Sequence, residues 1–120
     1  MKGQLTKAEE QVMLQLWQLG EAFLREMVDS FKGRKPHQNT VATILKTLAA
    51  KGFVNIEAVG RNNLYKPAIT REAYSKETIK TVVQGYFKGS FGQMVSFFAK
   101  DKTISITELE QILEELKSKK

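Results

Sequence analysis

The chain has no cysteine, which removes disulfides, thiolate metal sites and cysteine nucleophiles from consideration. Histidine is almost as scarce. The single His37 stands beside Pro36 at a helix start, and one imidazole without clustered carboxylates does not make a metal site. No nucleotide-binding loop, catalytic triad or metal-ligand cluster is recognisable, so no enzyme and no cofactor are expected. Acidic residues such as Glu108, Glu110, Glu114 and Glu115 read as a solvated helix face. No apolar run is long enough to cross a bilayer, and the start does not resemble a signal peptide. A soluble, cytoplasmic protein without membrane insertion is the expectation. Repeats and low-complexity tracts are missing as well.

Anionic side chains are nearly absent from one window, and that imbalance is informative. Between residues 32 and 66 the cations Lys32, Arg34, Lys35, Lys46, Lys51, Arg61 and Lys66 face Glu57 alone, so this window matches the whole chain's +6. Such a field attracts a polyanion, although a basic surface kept for solubility has the same composition. A length of 120 residues suits one compact domain, or a small domain with an extension.

Thr6 and Glu9 have capping-box spacing, and Ala8, Val12, Met13, Leu16 and Trp17 follow at helical intervals up to a stop at Gly20. A second short helix carries Phe23, Met27, Val28 and Phe31 and ends near Lys32-Gly33. Past Pro36 a third helix begins around Gln38. Its Val41, Ile44, Leu45 and Leu48 point one way, while Asn39, Thr40, Ala42, Thr43, Lys46 and Thr47 take the other faces. Gly52 stops this helix and Phe53 folds back towards the core. Strands from Val54 to Val59 and from Leu64 to Ala68 form a hairpin about a Gly60-Arg61-Asn62-Asn63 tip. Pro67 suits the end of an edge strand. Three helices and then a hairpin resemble a winged helix-turn-helix, in which a helix reads base edges and a cationic hairpin straddles phosphates. The fold class expected is mainly α with a small β-hairpin wing.

After Thr70 the texture changes, so residues 1–69 are expected to form the DNA-binding domain and residues 70–120 a helical dimerisation domain. Ile79, Val82, Val83, Tyr86 and Phe87 make one apolar stripe, which Lys88-Gly89 interrupts. Ser90 with Gln93, and Ser105 with Glu108, repeat the capping-box pattern. Lys117, Lys119 and Lys120 suit a helix C-terminus. Three amphipathic helices of this size cannot cover each other. A second copy of the chain is therefore expected over Ile79, Val83, Tyr86, Phe87, Phe91, Met94, Phe98, Leu109, Ile112, Leu113 and Leu116. The alternative is packing back onto the N-terminal domain.

Taken together, LTKAEEQVMLQLW, NTVATILKTLAAKGFV, GRNNLYKPAIT, YFKGSFGQMVSFFAK and the closing Ser-x-x-Glu-leucine helix resemble the penicillinase-repressor family, the BlaI/MecI/CopY group of bacterial transcriptional repressors. The order and spacing of the pieces carry the resemblance over nearly the whole chain. It implies a homodimer on a palindromic double-stranded operator that blocks transcription of neighbouring genes. In well-known members those genes confer β-lactam resistance, and a membrane-bound sensor-protease cuts the repressor in an Asn-Phe-Ala-Lys-like stretch. The corresponding residues here are Phe97-Phe98-Ala99-Lys100, with Phe97 in place of the Asn. The copper-responsive branch uses Cys-x-Cys pairs, which this chain lacks.

By position and type, Asn39, Thr40, Ala42 and Thr43 are candidates for base contact. Asn39 or Thr40 could instead cap the helix. Phosphate contact falls to Lys46, Thr47, Lys51, Arg61, Asn62 and Lys66, with Arg34 and Lys35 on the preceding loop. A winged-helix adaptor that binds protein rather than DNA is the alternative reading. A ligand-responsive regulator ranks behind it, because no convergent polar cluster marks a pocket.

Overall fold

Helix α1 (Lys7–Leu19) starts where the sequence supplies both halves of a cap. Thr6 Oγ1 accepts the Glu9 N–H at 3.2 Å, and the Glu9 carboxylate accepts the Thr6 N–H at 2.8 Å. The computed structural model describes residues 5–118, so Lys119 and Lys120 of the expected final turn, and residues 1–4 of the expected first domain, lie outside the described residues. Strand β1 (Ala22–Phe23), α2 (Leu24–Ser30) and α3 (Gln38–Ala50) follow α1. Next come β2 (Val54–Val59) and β3 (Asn62–Pro67), and then α4 (Arg71–Tyr86), α5 (Phe91–Lys100) and α6 (Ile106–Ser118).

The sheet differs from the simple hairpin expected. It has three strands in the order β1-β3-β2, with Ala22 opposite Tyr65 and Phe23 opposite Leu64. Sequence reasoning put Phe23 in the second helix, because a two-residue strand is too short to show any alternation. β3 is therefore central, yet it ends in Pro67. The proline fits because β1 reaches only Leu64 and Tyr65, leaving Pro67 with a neighbour on one side, Val54. β3 also begins two residues earlier than expected. Val59 pairs with Asn62, so the tip shrinks to Gly60-Arg61, and Gly60 at φ +62° fills the first turn position as a two-residue hairpin requires.

The core forms where the three helices converge on the sheet. Met13 and Leu16 of α1, Met27 of α2, Val41, Leu45 and Leu48 of α3, and Phe53 have no solvent exposure. Burying each such side chain favours folding by about 1.5–3 kcal/mol. Phe53 is drawn in by its own N–H, which donates to Leu48 O at 2.9 Å, while its carbonyl accepts from Ala68 N–H at 2.8 Å. Tyr74, one turn into α4, meets Phe53 edge-on at 5.8 Å and lies 5.6 Å from Trp17. Trp17 Nε1–H donates to Ile69 O at 2.8 Å, fastening the chain beyond the wing to α1.

Two compact units result, one ending at Lys76 and the other starting at Glu77. The division falls inside α4, beyond the 69/70 point suggested by sequence texture, because Tyr74 belongs to the first core. In the second unit Ser105 and Glu108 form a complete capping box at 3.0 and 3.3 Å, and Ser90 Oγ accepts the Gln93 N–H at 3.1 Å. Neither α5 nor α6 contains a buried residue.

Candidate nucleic-acid interface

Helix α3 is the helix expected from the sequence to read bases, and its capping differs from either possibility weighed above. His37, not Asn39 or Thr40, is the N-cap: its Nδ1 accepts the Asn39 N–H at 3.1 Å. Asn39 and Thr40 are thereby left exposed within the first turn. No acidic residue occupies that turn, so nothing there repels a phosphate. Val41, Leu45 and Leu48 fix the helix to the core, which turns Thr43, Lys46 and Thr47 outward. Ala42 is half-buried between the two faces.

The threonine hydroxyls are oriented. Thr43 Oγ1 donates to Asn39 O at 2.9 Å and Thr47 Oγ1 donates to Thr43 O at 3.1 Å. With their protons directed along the helix, both hydroxyls offer lone pairs and methyl groups outward. Such a surface suits donors of base edges and a thymine methyl.

The cations divide into free and engaged. Arg34, Lys46 and Arg61 are exposed, and among the described residues none of them forms an ion pair. Lys35 Nζ donates to Asp29 O at 2.7 Å and Phe31 O at 2.9 Å, closing the C-terminal end of α2. Lys51 Nζ is held by both carboxylate oxygens of the buried Glu9, at 2.7 and 2.9 Å. The Lys51 hydrogen bond holds the Glu9 carboxyl below its ordinary pKa, and the Thr6 N–H acts in the same direction against burial. On the wing, Lys66 Nζ lies 2.7 Å from Glu57 and 4.0 Å from Glu21, and the Glu57 contact raises the Lys66 pKa.

A cleft of about 640 Å³ lies where α2 and α3 begin beside the wing. It gathers Arg61 and Asn62 with Arg25, Gln38 and Asn63, which sequence reasoning did not single out. Arg25 reaches the wing because β1 pairs with β3, a long-range contact with no periodic signal in the sequence. The candidate phosphate residues thus do not converge on one place. Arg34 and Lys35 line a separate groove between α1 and α3.

In the second unit, the apolar residues expected at an interface differ in exposure. Tyr86 is 82% exposed, and Ile79, Phe91, Ile112, Leu113 and Leu116 are each at least 41% exposed. Phe87, Met94, Phe98 and Leu109 are half-buried. Val83 is already buried within the chain, at 1% exposure. Phe97 and Ile106 are exposed too. Phe87, Phe97 and Phe98 form an aromatic triplet with centroids 5.4–6.5 Å apart.

The family model of the penicillinase repressors matches residues 5–118. The chain belongs to the penicillinase repressor family. It is 30% identical over 121 residues to the penicillinase repressor of Bacillus licheniformis, an alignment spanning 98% of this chain and 94% of that relative. Among solved structures it is similar to the DNA-binding domain of the repressor BlaI, with 30% identity and a TM-score of 0.53 over 62% of this chain and 94% of that one. A second similar structure is Bacillus licheniformis BlaI in monomeric form in complex with the blaP half-operator. There the identity is 28% and the TM-score 0.52, over 62% of this chain and 92% of that one. Penicillinase repressors are DNA-binding repressors, so the winged-helix reading holds at the level of the family. Among the described residues no helix is long and apolar enough to cross a membrane.

Proposed function

We propose that this protein represses transcription as a homodimer, laying α3 of each copy into the major groove of a pseudo-palindromic operator. The observation that carries the reading is the outward row Asn39, Thr40, Thr43, Lys46 and Thr47 on a helix locked to the core from behind. Asn39, Thr40, Ala42 and Thr43 contact bases. Arg61 and Asn62 at the wing, with Lys46 and Thr47, contact phosphates. Lys51 and Lys66, each held by a carboxylate, contribute less to phosphate binding than their charge suggests. The B. licheniformis BlaI structure with a half-operator supports this assignment by analogy.

Dimerisation falls to α4, α5 and α6. Their exposed Tyr86, Phe91, Ile112, Leu113 and Leu116 are more apolar surface than a small monomer normally leaves open. Linking two half-site contacts in one dimer multiplies operator affinity without any new contact. Release by a membrane-bound sensor-protease, as in relatives that control β-lactam resistance, would require α5 to open. The Phe97 and Phe98 carbonyls both accept backbone hydrogen bonds, from Asp101 at 3.2 Å and from Thr103 at 3.0 Å.

The test is a gel-shift and anisotropy survey of the DNA upstream of its own gene and its neighbours. A sequence-selective complex whose affinity falls steeply with salt is expected, with two half-sites about one helical turn apart. Binding of equal strength to scrambled DNA would leave the protein–protein adaptor as the better reading.

A further inference from the structure

The groove between α1, the α2–α3 connection and α3 has a composition that phosphate binding does not explain. It encloses about 660 Å³, within the usual size of small-molecule sites. Phe31, Pro36 and Ile44 give it an apolar floor, backed by the buried Val12 and Val41. Arg34, Lys35 and His37 stand at its edge, and no acidic side chain lines it. Lys35 is tied to the carbonyls of Asp29 and Phe31, which sets the shape of the connection. Arg34 has no carboxylate partner among the described residues. His37 uses Nδ1 to accept the Asn39 N–H, so the ring proton resides on Nε2, available as a donor.

A phosphodiester backbone would gain nothing from that floor, and a neutral apolar molecule would gain nothing from that edge. We propose that the groove binds a small amphipathic monocarboxylate. Its apolar body rests on Phe31, Pro36 and Ile44, and its carboxylate meets the Arg34 guanidinium and the His37 Nε2–H. Thr40, a proposed base contact, and Arg34, a phosphate candidate in the sequence, also belong to this groove. Ligand and operator therefore compete, each weakening the other by the same factor. The binding claim stands without the DNA reading, whereas the competition rests on it.

The full-length ¹⁵N-labelled protein is titrated with 2-naphthoate, and in parallel with 2-naphthamide and with acetate at matched ionic strength. Saturable amide shifts at Val12, Thr40 and Ile44 are expected with naphthoate. Naphthamide should bind about tenfold more weakly for want of the charge-assisted contact, and acetate should not saturate. Arg34→Gln, at an exposed position, should lower naphthoate affinity about tenfold and leave naphthamide unchanged. Equal affinity for acid and amide, an unaltered response in Arg34→Gln, or shifts confined to other regions would overturn the site. Anisotropy with operator DNA then separates the two claims. Naphthoate bound with DNA affinity unchanged removes the competition. Failure of all specific DNA binding sinks the repressor reading and leaves the groove result standing.

Discussion

Helices α3 and α5 carry similarly apolar sequences and meet opposite fates. α3 fully buries Val41, Leu45 and Leu48, whereas α5, with three phenylalanines, buries none of its residues. The first unit closes a core from α1, α2, α3, the sheet and Tyr74. The second leaves Phe91, Phe97, Ile106, Ile112, Leu113 and Leu116 half or more exposed, except Phe91 just under half. The lesson is that amphipathic patterning states how much surface must be covered without stating by what. In the first unit the chain covers itself; in the second we propose that a twin does.

The strongest challenge to that contrast is Phe53→Ala. It empties a fully buried aromatic site and is expected to cost about 3–5 kcal/mol, measured by urea denaturation of the first unit. A loss below about 1 kcal/mol would mean the first core is not self-sufficient. On the other side, Leu113→Asp should not lower the melting temperature of the first unit. Sedimentation should show the dimer weakened about a hundredfold or more, and operator affinity should drop by a similar factor as the half-sites become independent. An unchanged dimer would place the interface elsewhere.

Glu9→Gln sharpens the picture within the first unit, because the carboxylate links the start of α1 to Lys51 at the end of α3. A loss of about 1–2 kcal/mol is expected. The acid dependence has a definite sign. The folded carboxyl has a lowered pKa, so its stabilisation is complete above the unfolded value of about 4.3 and disappears as pH falls through the folded one. In Glu9→Gln the acid limb of the stability curve should flatten. An identical acid limb in both proteins would show that the pair contributes nothing. Smallest of the effects, Arg61→Ala should reduce operator affinity about tenfold and the salt slope by about 1, with stability unchanged. Retained affinity would remove the wing tip from the interface.

Much of the fold was legible in the residues. Thr6 with Glu9 announced α1, Gly20 and Gly52 ended two helices, and the spacing of Val41, Leu45 and Leu48 gave the buried side of α3. These signals are local, since caps and periodicity act over one or two turns. What escaped was long-range. The pairing of Ala22 and Phe23 with β3, the approach of Arg25 to the wing, and the capture of Lys51 by Glu9 join residues far apart in sequence. His37 read only as a lone imidazole at a helix start, because imidazole is an uncommon cap and only the hydrogen bond to Asn39 reveals it.

The sequence by itself determined the order of helices and wing, the basic stretch from Lys32 to Lys66, and the excess of apolar surface after Thr70. Each follows from residue type and spacing, which the chain carries wherever it goes. Only the tertiary structure decided which cations stay free and which are held by carboxylates. It alone made β3 a central strand that tolerates Pro67, and set an apolar floor beside Arg34. Those outcomes depend on which distant side chains come within hydrogen-bonding or van der Waals reach, and that distance exists only once the core has closed.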